Sequence, residues 1–135
     1  MIETVVDASV VIKWVTSSRG EAGTAQARRL QQRHEGGELW IVVPSLLFLE
    51  ILNVAGRSWG WPDGELLDLA ETLGQMELEV AEPRLGSVAG WVGRGLTAYD
   101  AAYVALAEER GIPMVTDDRM ILDAAGDLAQ PLISV

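Results

Sequence analysis

The chain has 135 residues, 49% of them apolar and 22% charged, with twenty acidic against ten basic side chains and a formal net charge of −10 at pH 7. That length organises one hydrophobic core and that apolar content fills it, so a two-domain chain and an intrinsically disordered one are both excluded, and 1–135 is expected to form one domain. Cysteine is absent, which removes disulfides, thiolate nucleophiles and thiolate metal sites, and the excess of acid argues against a broad basic footprint on nucleic acid unless acids gather to hold cations.

In chain order, Thr4–Val6 is the first short apolar run rich in Val and Ile, a pattern that predicts a buried strand of a parallel sheet. Helical spacing follows over Ser9–Thr16 and Thr24–His34, then a strand over Leu39–Val43 and a helix over Pro44–Arg57. Pro62–Met76 places Leu66, Leu69, Ala70, Leu73 and Met76 on one stripe and is opened by Pro62-Asp63, a helix-start pattern. Leu78–Val80 is the next strand and Gly86–Arg94 the next helix. The Ala-rich helix Ala98–Arg110 stops at Gly111, Met114–Thr116 is a strand, Arg119–Ala125 a helix, and Leu132–Val135 a candidate last strand. This alternation implies an α/β fold with an open parallel sheet covered by helices on both faces. No apolar run approaches the ~20 residues that span a bilayer. Met1–Asp7 lacks the basic start of a secretory signal, so no membrane association and a cytoplasmic location are expected.

In open α/β sheets ligands bind outside the carboxyl ends of the strands, which directs attention to the residue after each apolar run. Asp7 follows the first strand with Ser9 two places on, and capping of the next helix is by itself a sufficient role for it. Asp117 and Asp118 follow Met114-Val115-Thr116, where one helix cap explains one of the two but not both. Asp100, three residues after Thr97, fits a capping box. Glu50 is different: its neighbours one turn away are Leu46, Leu47 and Val54, and the one polar group nearby, Asn53, cannot neutralise a carboxylate. A charge in such surroundings calls for protonation, a partner or a metal. Oxygen-only ligands from Asp7, Glu50, Asp100 and Asp118 suit Mg²⁺ or Mn²⁺ and the metal-assisted hydrolysis of a phosphodiester, chemistry that asks for no protein nucleophile.

Four blocks, Val5-Val6-Asp7-Ala8-Ser9 through Trp14, Pro44-Ser45-Leu46 with Glu50 and Asn53, Leu96-Thr97-Ala98-Tyr99-Asp100 through Ala107, and Val115-Thr116-Asp117-Asp118-Arg119, resemble in order the PIN domain and, within it, the VapC-type toxins of toxin–antitoxin pairs. The resemblance implies a single PIN-like domain with a parallel five-stranded sheet and a Mg²⁺- or Mn²⁺-dependent endoribonuclease acting on RNA. It also implies a homodimer and inhibition by a small cognate VapB-like antitoxin. Carried onto this sequence, the family's four acids fall on Asp7, Glu50, Asp100 and Asp118, with Ser9, Asn53 and Thr116 in supporting positions and Asp117 at the variable position of the last motif. A stand-alone PIN nuclease and a non-catalytic α/β interaction module are the alternatives. A receiver-type or phosphatase-type domain would also place an Asp after the first strand, but the first needs a further N-terminal acid pair and a late Lys, and the second Asp-x-Asp where this chain has Asp7-Ala8-Ser9.

Three further features carry less weight. Lys13, the sole lysine, reads as a solvated helix residue, and His34 as a contact with a helix C-terminus. Trp59 and Trp61 flank a turn between the two middle helices, where a partner surface and plain packing compete evenly.

Overall fold

Val5 and Val6 on β1 (Ile2–Val6), and Ile41, Val42 and Val43 on β2 (Leu39–Val43), are fully buried, which is where β-branched side chains pack in central strands covered on both faces. The structure, a computed structural model, describes residues 2–16 and 23–135. β1 and β2 pair in parallel with Thr4 opposite Ile41. β3 (Glu79–Val80) lies outside β2, while β4 (Met114–Val115) pairs with the other side of β1 and carries β5 (Ala129–Gln130) at its outer edge. All five strands are parallel, in the order β3-β2-β1-β4-β5.

The connecting helices are α1 (Ala8–Val15), α2 (Thr24–Glu35), α3 (Leu46–Asn53), α4 (Asp63–Gly74), α5 (Leu85–Val92), α6 (Ala98–Arg110) and α7 (Arg119–Ala125). The chain steps outward from β1 to β2 and β3, then returns past β1 to β4 and β5. Right-handed crossovers made in opposite directions lie on opposite faces of a sheet, so α1–α4 cover one face and α5–α7 the other. The packing agrees: α1 rests on α2 and α3, α3 on α4, and α6 on α5, α7 and β1. Seven successive residues of α6, Ala101–Ala107, are buried, which accounts for its alanines, because only small side chains let a helix be enclosed on nearly all sides. Among the described residues no helix is long and apolar enough to cross a membrane.

Two expectations are corrected. Leu132–Val135 is not a strand: Leu132–Ser134 forms a 3₁₀ turn, and the fifth strand is Ala129–Gln130, ended by Pro131, which has no N–H to extend the ladder. Leu132 is apolar because it is fully buried beneath this turn. The helix predicted over Pro44–Arg57 is α-helical only through Asn53 and continues as a π-helical turn over Val54–Ser58, widening the backbone just before Trp59.

Candidate active site

The direction of strand crossing reverses between β1 and β4, and their carboxyl ends open side by side at this switch point. Asp7 leaves β1 as the N-cap of α1 and is buried, 5% exposed. Its Oδ1 accepts from the Ser9 amide at 3.1 Å and the Ser9 hydroxyl at 2.5 Å, and its Oδ2 accepts from the hydroxyl of Thr116 at the end of β4. Burial pushes the Asp7 carboxyl up from 3.8 to about 6; the hydrogen bonds from Ser9 and Thr116 oppose that rise and the neighbouring Asp118 adds to it.

The two acids after Thr116 part company. Asp118 caps α7, its Oδ1 accepting from Met120 N at 2.9 Å and Ile121 N at 3.1 Å, while its own amide donates to the Thr116 hydroxyl at 2.9 Å. Asp117 turns to other elements: Oδ1 accepts from Leu132 N at 3.2 Å, Oδ2 lies 3.8 Å from Lys13 Nζ, and its amide donates to Ser9 Oγ at 3.1 Å. Both acids therefore have structural contacts, and the charge of Asp118 raises the proton affinity of Asp7 and Asp100. Lys13 is not a solvated helix residue; its side chain is 13% exposed and faces Asp117.

Glu50 projects from α3, half-buried, and accepts a hydrogen bond from the phenol of Tyr103 on α6. Burial raises its proton affinity, the Tyr103 contact lowers it, and Asp100 raises it again. Asp100 opens α6, with its amide donating to Thr97 Oγ1 at 3.1 Å. Its carboxyl is raised by burial and by Asp118, against a hydrogen bond from Thr97. Burial and the Glu50 contact drive the Tyr103 phenol far upward, so it remains a donor. Asn53, one turn after Glu50, is exposed. Sequence reasoning missed the Tyr103 contact; the available signal was its position three residues after Asp100, which puts both side chains on one face of α6.

Asp7, Glu50, Asp100 and Asp118 thus act on one another electrostatically, Asp118 reaching both Asp7 and Asp100, and Asp100 reaching Glu50. Among the described residues no Lys or Arg pairs with any of the four. Nor, among those residues, do three His, Asp or Glu side chains stand close enough together to hold a metal ion as they are placed. The donor chemistry fits a hard divalent cation all the same: a desolvated carboxylate with both oxygens oriented by hydroxyls, beside further carboxylates. A cleft of about 820 Å³ lies elsewhere, between the C-terminal end of α1 and α4, lined by Trp14, Trp59, Trp61, Leu69, Glu65 and Asp68 among others and by none of the four acids. His34 is not a dipole contact; it is buried, accepts from Ile41 N at 3.3 Å through Nδ1, and packs on Trp40 with ring centroids 5.4 Å apart.

The profile of the PIN domain family matches residues 4–127. The crystal structure of PAE2754 from Pyrobaculum aerophilum superposes with a TM-score of 0.69 at 25% sequence identity, covering 98% of this chain and 92% of that one. The crystal structure of Mycobacterium tuberculosis VapC20, a toxin that cleaves the sarcin–ricin loop, superposes with a TM-score of 0.66 at 18% identity, covering 92% of this chain and 95% of that one. No curated protein sequence matches the chain.

Proposed function

The chain belongs to the PIN domain family, and on that premise we propose that it is a Mg²⁺- or Mn²⁺-dependent endoribonuclease serving as the toxin of a VapBC-like toxin–antitoxin pair. The observation that carries this reading is the mutual repulsion of the carboxylates of Asp7, Glu50, Asp100 and Asp118 at the switch point, none of which, among the described residues, is paired with a Lys or Arg. The toxin assignment draws on the fold shared with the M. tuberculosis toxin and on the motif resemblance.

In this reading Asp7, Glu50, Asp100 and Asp118 hold the metal. When bound, such an ion neutralises phosphate charge and lowers the pKa of an attacking water. Ser9 and Thr116 fix the two oxygens of Asp7, so its geometry is set before anything binds. The α7 cap occupies Asp118 Oδ1 and leaves Oδ2 for the site. Without a cation, the raised affinity of Asp7 for protons holds one on its carboxyl in mildly acidic solution. The net charge of −10 makes RNA affinity dependent on bound cations.

The antitoxin's part falls on two places. An Arg from it would pair bidentately with the carboxylates, competing with the metal. An apolar helix with basic flanks would fit the cleft between α1 and α4, where Trp59 and Trp61 supply apolar surface and Glu65 and Asp68 negative charge. The homodimer belongs to the same reading, with the exposed side chains Leu85 and Val92 of α5 as the candidate contacts.

Purified chain is expected to cut RNA in Mg²⁺ or Mn²⁺ and to stop in EDTA, while Asp7→Asn, Glu50→Gln, Asp100→Asn and Asp118→Asn each lose most cleavage and keep the fold by circular dichroism. Undiminished cleavage in EDTA would rule out the mechanism. Expression alone is expected to arrest growth and co-expression with the neighbouring reading frame to relieve it. Harmless expression of a chain that still cuts RNA would instead assign a stand-alone PIN nuclease.

A further inference from the structure

Glu50 is the carboxylate of the site that the backbone constrains least. Asp7 and Asp118 sit at helix N-caps, where backbone amides fix one oxygen of each, and Asp100 stands beside its own cap residue Thr97. Glu50 lies in the second turn of α3 with one more rotatable bond, on a helix whose neighbouring side chains are apolar. Its hydrogen bond from a side chain comes from Tyr103, 53 residues on and across the sheet-end cleft between the two helix layers.

Tyr103 is 1% exposed and belongs to the close-packed core, which restricts its ring. A side chain packed on all sides is held near one rotamer, so its hydroxyl is a fixed point. The phenol has one O–H, whose hydrogen bond Glu50 Oε1 accepts; that leaves Oε2 and a second lone pair of Oε1 for any cation. We propose that Tyr103 is a positioning residue for the metal site, holding the Glu50 carboxylate in the orientation that binds the ion. The inference rests on the reading of Glu50 as a ligand. Partners that orient a ligating group from behind set metal affinity nearly as strongly as the ligands do.

The test measures Mn²⁺ binding by electron paramagnetic resonance on the full chain, for the wild type, Tyr103→Phe, Glu50→Gln and the double variant, together with kcat and KM for RNA at saturating Mn²⁺. Tyr103→Phe fills the same buried volume without the hydroxyl and is expected to weaken Mn²⁺ binding by about tenfold or more and to lower kcat with little change in KM. In the Glu50→Gln background the same change is expected to have little further effect, since its action runs through Glu50. If the wild type binds Mn²⁺ and Tyr103→Phe binds it equally, the role of Tyr103 is refuted and the metal-site reading stands. Equal losses in both backgrounds would make Tyr103 a packing residue, which also refutes it. If the wild type binds no Mn²⁺, the metal-site reading fails and takes the inference with it. Should the Phe variant not fold, Tyr103→Met, also without a hydroxyl, replaces it in the same comparison.

Discussion

The Thr116 hydroxyl donates to Asp7 Oδ2 and accepts from the Asp118 amide, so one fully buried side chain at the end of β4 fixes the carboxylate at the end of β1 and the backbone of the next acid. Thr116 and Asp7 are 109 residues apart in the chain and adjacent in the sheet because β1 and β4 are neighbours. The contact joins the two strand ends on which the site is built.

Replacing Thr116 by Val keeps the volume and removes both hydrogen bonds, leaving Asp7 Oδ2 and the Asp118 amide without these partners. Unfolding in urea is expected to show a loss of about 1–3 kcal/mol. RNA cleavage should fall as well, and Thr116→Ser, which restores the hydroxyl, should recover most of both. Wild-type stability and activity in the Val variant would show that the bridge holds nothing.

The metal-free protein should lose stability as pH rises across the range in which Asp7 titrates. Below its ordinary value of 3.8 the carboxyl is protonated in both folded and unfolded chains and costs nothing. From there to about 6 the unfolded chain ionises first, the folded chain holds more protons, and stability falls with rising pH. Above about 6 the cost is constant, on the order of 3 kcal/mol. Burial moves Glu50 and Asp100 in the same direction and adds to the slope. In EDTA, Asp7→Asn is expected to be more stable than the wild type at neutral pH, with the difference vanishing in acid. Denaturation curves that stay parallel at all pH values would contradict this account.

Asp117 and Asp118 should separate cleanly on mutation. Asp117→Asn keeps an acceptor for Leu132 N and loses only the partly exposed pair with Lys13, so a change of about 0–1 kcal/mol and near-normal RNA cleavage are expected. Asp118→Asn keeps a good N-cap and should lose cleavage at little cost in stability, whereas Asp118→Ala should lose the cap too, about 1 kcal/mol. Leu132→Ala, which empties a fully buried position beside Asp117, should cost about 2–5 kcal/mol. Thermal melts and a cleavage assay on the four variants decide the assignment, and an inactive Asp117→Asn would place that acid in the chemistry.

The sequence by itself determined the alternating strands and helices, because burial on both faces of a parallel sheet demands unbroken Val and Ile runs, and caps mark helix starts locally. Leu39–Val43 and Ala98–Arg110 agree with the structure to the residue for that reason. Glu50 stood out because a carboxylate among leucines conflicts with its own neighbourhood. The last strand was misplaced because Leu132 and Ile133 look alike in composition, although one is buried under the sheet edge and the other exposed. What answers Glu50, what Asp117 holds, and where Lys13 points were decided only by tertiary structure. Each depends on a partner brought in by strand order: Tyr103 from the opposite helix layer, and Leu132 and Ser9 from the two ends of the chain. A hydrogen bond between residues far apart leaves no periodicity in the sequence, so the acids, with Ser9 and Thr116, could be named from motifs while Tyr103, which answers Glu50 from another helix, could not.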